Sequence, residues 1–215
     1  MTFYWITLFI TAFLAYTLGS MKTVVLASNF VFHKNLSRLG TGTAWFYNFR
    51  RIYGGRGLVL IALVELIRDM LPILIGGWLL GVKGHPEAGR AFAGFCLTLG
   101  TVFPLFYDFR GGHGIVCMVF AALSTSISLG IAVAAVAAAV AWYSRYVSLG
   151  AVAGALTLIL VSVLVIDERI VMFLYMFTAL AVLLRHIPAV LRVLRSREEK
   201  FSTQEDITYK FDQKF

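Results

Sequence analysis

Residues 115–143 read IVCMVFAALSTSISLGIAVAAVAAAVAWY. A helix needs about 20 apolar residues to cross the hydrocarbon core of a bilayer. This run is long for one crossing and short for two. A polar break, STSIS (Ser124–Ser128), sits inside it. The break predicts a hairpin of two short helices rather than one long span. The consequence is topological. With a hairpin, the following stretch SRYVSLG (Ser144–Gly150) returns to the side from which the run entered. A single span would put it on the opposite side.

The surrounding composition has the same character. The chain has 215 residues, 60% of them hydrophobic and 14% charged, with a mean hydropathy of +0.83. Soluble domains average about 45–50% apolar and about 25% charged, so the chain reads as an all-α, polytopic membrane bundle. Residues 3–20, 58–80, 92–107, 149–166 and 170–190 read as further spans, which makes about seven helices. Residues 1–20 lack a basic leader and a small-residue cleavage site, and read as a first span rather than a signal peptide. The chain divides into a transmembrane domain, 1–195, and a charged tail, 196–215.

Charge sets the expected orientation. The net charge is +8, and residues 21–57 carry Lys22, Lys34, Arg38, Arg50, Arg51 and Arg56 with no acid. The positive-inside rule puts this stretch in the cytoplasm. The N-terminus is then outside and the C-terminus cytoplasmic. The elbow FRGGHG (109–114), SRYVSLG and the pair Arg185-His186 share the inner face. No basic-and-aromatic module stands outside the spans, which argues against nucleic acid as a partner.

Several stretches on that inner face suit anions. In LGTGTAWFYNFRR (39–51), closely spaced glycines bring backbone N–H groups near an oxyanion. Thr41 and Thr43 add hydroxyl donors, and Arg50 and Arg51 add guanidinium forks. In GTVFPLFYDFRGGHG (100–114), Pro104 ends a helix, and Gly111, Gly112 and Gly114 permit an irregular backbone beside Arg110 and His113. Arg145 can hold a phosphate or a carboxylate. Glu65, Arg68 and Asp69 lie within a span, where ionisable groups are costly. Either they form a packing ion pair, or Arg68 points into an anion site. His186 is a candidate base. The four histidines are scattered, so no metal cluster is expected. Cys96 and Cys117 read as small buried hydrophobes.

In order along nearly the whole chain, these stretches resemble the bacterial acyl-phosphate:glycerol-3-phosphate acyltransferases (PlsY). That family's motif G-S-G-N-x-G-A-T-N falls on Gly40-Thr41-Gly42-Thr43-Ala44-Trp45-Phe46-Tyr47-Asn48. Its G-H-x-F-P and F-K-G-G-K-G fall on Gly100–Pro104 and Phe109–Gly114. R-Y-x-S-L-[GS] matches Arg145–Gly150, and R-H-x-x-N-I falls on Arg185–Val190. The chain departs from the family at Thr43 for Asn, Thr101 for His, His113 for Lys and Ala189 for Asn.

The resemblance implies a seven-helix membrane fold in the bacterial inner (cytoplasmic) membrane. It implies transfer of a fatty acyl group from acyl-phosphate to glycerol 3-phosphate or a related acceptor, in phospholipid synthesis, without metal or cofactor. By the same resemblance, His186, Arg145 and His113 are the expected catalytic residues. Gly40, Thr41, Gly42, Thr43, Asn48, Arg51, Arg68, Arg110, Gly111, Gly112, Gly114 and Ser148 are the expected substrate contacts. The lost Asn, Lys and His favour a competing expectation. In it the chain is a non-catalytic relative, a lipid-binding or regulatory membrane subunit with a protein partner.

Overall fold

The computed structural model describes residues 2–25, 46–107, 109 and 111–197. The tail 198–215 and the stretch 26–45 lie outside the described residues. Seven α-helices and no strand occur among the described residues. They are α1 (Thr2–Ser20), α2 (Phe46–Gly81), α3 (Pro86–Val102), α4 (Ile115–Thr125), α5 (Ile127–Ser144), α6 (Val147–Val165) and α7 (Arg169–Leu194). The stretches Pro86–Tyr107, Ile127–Ser144, Val147–Val165 and Arg169–Leu194 are long and apolar enough to cross a membrane.

The 115–143 run is the expected hairpin. α4 stops at Thr125, and extended Ser126 separates it from α5. The Ser126 hydroxyl accepts from the Leu129 N–H and so caps α5. α4 has only 11 residues, about 16 Å at 1.5 Å per residue, so it ends partway through the bundle. Its last carbonyls have no intrahelical donor. Arg90 Nη1 supplies one to Ser124 O at 2.7 Å. Tyr175 Oη donates to Ala121 O at 2.9 Å, a carbonyl that also accepts from Ser124 Oγ at 2.8 Å. Thr125 Oγ1 lies 2.5 Å from the same Tyr175 hydroxyl. Tyr175 is wholly buried.

Two boundaries differ from the sequence reading. α3 begins at Pro86 rather than near 92, because proline suits the first helical position and Glu87 suits the first turn. It ends at Val102, since Pro104 has no N–H to continue the ladder, and a 3₁₀ turn, Leu105–Tyr107, follows. The second difference is in α2. Its 36 residues start at Phe46, so the end of the 39–51 stretch is helix and not loop. At about 54 Å α2 exceeds the hydrocarbon thickness of about 30 Å. Its basic N-terminal turns therefore extend past the apolar zone.

α3 is the central element. α1 packs on it so closely that a Cβ on Gly19 would lie 2.2 Å from Leu97 O, and one on Gly100 2.3 Å from Tyr16 O. The two ends of the bundle are also distinguished. His85 Nδ1 and Glu168 Oε1 meet at 3.5 Å, joining the α2–α3 and α6–α7 connections at one end. The 111–114 elbow, Lys22, Val147 and the Arg185-His186 pair gather at the other. This is the relative arrangement the charge pattern predicts.

Tyr175→Phe removes the buried hydroxyl that ties α7 to Ala121 O and Thr125 Oγ1 at the end of α4. It is expected to cost about 1–2 kcal/mol and to lower the melting temperature in detergent micelles by several degrees, as read by thermal unfolding.

Candidate active site

The elbow is built from three different local requirements. Gly112 N–H donates to Thr101 O at 2.8 Å, which folds the chain back on the end of α3. Gly111 sits so close that a Cβ would lie 2.1 Å from Val102 O and 2.3 Å from Thr101 O. Gly114 has φ +72° and caps the start of α4 in the left-handed region. Gly112 meets neither requirement, because its Cβ would sit 3.4 Å from Thr101 Cγ2, an ordinary contact. Only two of the three glycines are thus demanded by the backbone. Arg185 holds the elbow from α7: Nε donates to Gly112 O at 3.2 Å and Nη2 to Gly111 O at 2.9 Å.

Behind the elbow lies a cavity of about 340 Å³. Ser20, Lys22, Thr23, Glu65, Arg68, Thr101, the elbow glycines, His113, the first turn of α4 and Val147 all border it. No side chain caps α4 or α6 at its N-terminus. The first N–H groups of a helix have no intrahelical acceptor, and those of Ile115, Val116 and Cys117 belong to residues on the cavity wall. Val147, the first residue of α6, is there too. Two helix N-termini therefore turn their positive ends toward one space.

The side-chain charges are already engaged. Arg68 Nε and Nη2 donate to Asp69 Oδ1 at 2.9 and 2.6 Å, Nη2 also meets Glu65 Oε1 at 2.8 Å, and Nη1 donates to Met21 O at 2.8 Å. Arg68 is ion-paired, the first of the two alternatives for this trio, and it also borders the cavity. Its guanidinium braces α2 against the end of α1 more than it offers a spare fork. Cys117 is no plain hydrophobe. Its Sγ lies 3.2 Å from Thr101 Oγ1 and 3.5 Å from Asp69 Oδ2. Lys22 sits over the Tyr107 ring, 4.5 Å from its centroid. Burial, and then Arg185, push its ammonium below the usual lysine range.

His113 and His186 meet at 3.0 Å, Nδ1 to Nε2. His186 is fully buried, and its Nδ1 lies 2.7 Å from Val182 O. His113 departs from the sequence reading, which has it facing an anion as a part-time cation. Burial above all, with His186, Arg185 and Arg192 adding to it, lowers its pKa from 6.5 to about 4. It is neutral at neutral pH, so it does not replace a lysine charge for charge.

Gly40, Thr41, Gly42, Thr43 and Arg110 lie outside the described residues. Asn48 and Arg51 fall in the first turns of α2, their side chains outside those described. Arg145 ends α5 at φ 64°, exposed, with its guanidinium 5.8 Å from the Trp142 ring centroid. It is not among the described residues bordering the cavity. Ser148 is buried beside Val147, and its Oγ has no partner among the described residues. Sequence reasoning did not single out Ser20, Thr23 or Lys22 as cavity residues, nor Arg185 as the elbow's brace. The position of Lys22 just past the Gly-Ser end of α1 was the available signal.

A second, apolar groove of about 310 Å³ adjoins the cavity. Ile115, Val116 and Val147 border both. From there the groove runs between α4, α5 and α6 along Val119, Phe120 and an alanine row, Ala134, Ala137, Ala138 and Ala141.

A family model described as glycerol-3-phosphate acyltransferase matches residues 9–196. Curated relatives of that description are similar over almost all of both chains. The protein of Thermoanaerobacter sp. (strain X514) is 25% identical over 198 residues, covering 92% of this chain and 98% of its own. That of Carboxydothermus hydrogenoformans is 27% identical, with the same coverage. The Pseudomonas fluorescens protein is 34% identical over 104 residues, about half of each chain. The crystal structure of PlsY, an integral membrane glycerol 3-phosphate acyltransferase, superposes with a TM-score of 0.74 in its glycerol 3-phosphate form and 0.75 in its lysophosphatidic acid form. Both are 23% identical and cover 91% of this chain and 96% of theirs.

Gly111→Ala forces a Cβ into two carbonyls and is expected to lower the melting temperature by several degrees. Gly112→Ala is expected to stay within about 2 °C of the parent. Thermal unfolding of both variants in one detergent reads the difference.

Proposed function

The chain belongs to the glycerol-3-phosphate acyltransferase family, and from that premise we propose that it moves a fatty acyl group from acyl-phosphate to glycerol 3-phosphate or a related phosphate acceptor. The observation that carries this reading is the adjacency of the two spaces, which share Ile115, Val116 and Val147 as lining. An acyl-phosphate is an anion joined to a long apolar chain. The cavity, with two uncapped helix N-termini and Lys22, suits the phosphates. The alanine-floored groove suits the chain, because small side chains leave a trough and offer no polar atom.

The substrate brings its own activation, so no covalent enzyme nucleophile is needed. Phosphate is a good leaving group, and preorganised donors near the developing charge do much of the work. The helix ends are fixed by packing and need little reorganisation when the substrate binds. Arg145, exposed at the end of α5 two positions before Val147, adds attraction for incoming anions. The elbow end faces the cytoplasm in this reading, because the basic 21–57 stretch belongs there. The transmembrane domain spans 1–195 in the bacterial inner membrane, and 196–215 is a cytoplasmic tail.

The test is phosphate release from palmitoyl-phosphate by the purified protein in micelles, with and without glycerol 3-phosphate. Acceptor-dependent release is expected, with lysophosphatidic acid as the product. No release from a folded protein, beside an active family member, would favour the non-catalytic, lipid-binding alternative.

Ala134→Leu fills the part of the groove far from the cavity. Its kcat/KM for palmitoyl-phosphate is expected to fall about tenfold, the cost of one or two lost apolar contacts, while that for an eight-carbon acyl-phosphate changes less than twofold. Equal losses for both donors would remove the groove from the acyl path.

A further inference from the structure

The described cavity wall carries one arginine and one lysine, Arg68 and Lys22. Arg68 is spent on Asp69, Glu65 and Met21 O. Lys22 makes no ion pair with a carboxylate among the described residues. Its Nζ rests over the Tyr107 ring, 4.5 Å from the centroid. An ammonium has three donors and a ring face occupies one side of it, so donors remain for a ligand. The next residue, Thr23, is 3% exposed and borders the same cavity. Its Oγ1 has no hydrogen-bond partner among the described residues. A buried hydroxyl left unpaired is costly, and a ligand oxygen in the cavity would supply the missing partner.

We propose that Lys22 and Thr23 form the subsite for the phosphate of the acceptor, glycerol 3-phosphate or a related small phosphate ester. The role rests on the acyl-transfer reading above. The wall on which the two residues stand assigns them to the acceptor and not to the donor. Residues 19–24 all border the cavity, and none of them borders the alanine-floored groove. With the donor's chain in that groove, its reacting carbonyl sits by the shared residues Ile115, Val116 and Val147. These are the starts of α4 and α6. A ligand on the 19–24 wall needs no channel for a chain, which describes the acceptor. Held there by its phosphate, the acceptor can turn its hydroxyl end across the cavity toward the shared residues.

The segment is held in place before any ligand arrives. Ser20 Oγ donates to Tyr16 O at 2.8 Å, Met21 N–H to Leu18 O at 3.1 Å, and Arg68 Nη1 to Met21 O at 2.8 Å. A subsite built on fixed groups loses little freedom on binding. The local charge favours an anion as well. Burial, and then the positive charge of Arg185, lower the pKa of the Lys22 ammonium. Arg185 keeps that charge while its donors go to the elbow carbonyls. A phosphate near both cations sets attraction against that repulsion. Glu65 is the carboxylate on the described cavity wall, and Arg68 engages it.

The experiment pairs calorimetric titration of glycerol 3-phosphate with turnover, both on the full-length protein in micelles. Lys22→Met keeps an apolar stem beside Tyr107 and drops the charge. It is expected to weaken glycerol 3-phosphate binding about tenfold, the equivalent of one charge-assisted hydrogen bond. The KM for glycerol 3-phosphate should rise by the same factor, with kcat and the KM for palmitoyl-phosphate changed less than about threefold. Lys22→Arg is expected to bind within about threefold of the parent, since the charge is kept. Thr23→Val has the same shape without the hydroxyl. It is expected to weaken glycerol 3-phosphate about threefold and to leave the ligand-free melting temperature unchanged or raised, because no protein partner is lost. Equal glycerol 3-phosphate affinity in the parent and Lys22→Met overturns the proposal while acyl transfer stands. A raised KM for palmitoyl-phosphate with unchanged acceptor affinity gives Lys22 to the donor and overturns the assignment. A parent that binds glycerol 3-phosphate through Lys22, yet releases no phosphate from palmitoyl-phosphate, overturns the acyl-transfer reading and keeps the site. A parent that does neither overturns both.

Discussion

Arg185 reaches from α7 to the carbonyls of Gly111 and Gly112, and the elbow end of the bundle depends on that contact. An irregular backbone at membrane depth must satisfy its polar groups within the protein, since each unpaired group costs several kcal/mol in lipid. The elbow meets that demand piece by piece. Thr101 O accepts from Gly112 N–H, Arg185 supplies donors to two carbonyls, and Tyr16 Oη donates to Phe103 O at 2.7 Å. With its carbonyls paired inward, the elbow can end α3 and begin α4 within a few residues. That sharp reversal brings the start of α4 to the cavity.

The same constraint operates at the other end of α4. A helix of 11 residues cannot cross the membrane, so its last carbonyls are exposed to the interior. Ser126 N–H donates to Ala122 O and Arg90 to Ser124 O, while Tyr175 ties α7 to Ala121 O just before them. α4 is therefore pinned at both ends by residues of α3 and α7. The positive end of a short, fixed helix is a suitable element for an anion site. Its dipole does not depend on a flexible side chain, and its donors are held by packing.

Charge in the cavity is more compensated than the motif pattern suggests. Arg68 spends its donors on Asp69, Glu65 and Met21 O, and His113 is neutral in its pocket. Side chains that differ from the family motifs are thereby reconciled with the fold. Arg68 is a brace, and His113 is a largely buried ring against His186.

The sequence by itself determined the helical class, the STSIS break, the grouping of polar stretches at one end and the family. Each of these depends on local composition, on length against membrane thickness, or on an ordered run of motifs. Tertiary structure decided what those residues face. No spacing rule joins Arg185 to glycines 73 and 74 positions away, or His113 to a histidine 73 positions on. Lys22 looked like one of many positive-inside charges until α1 and α3 packed it against the elbow end. Arg145 matched its motif yet is an exposed, left-handed C-cap of α5 and is not among the described residues bordering the cavity. Protonation likewise could not be read from residue types, since it follows from burial and neighbouring charge, which exist only once the helices have packed.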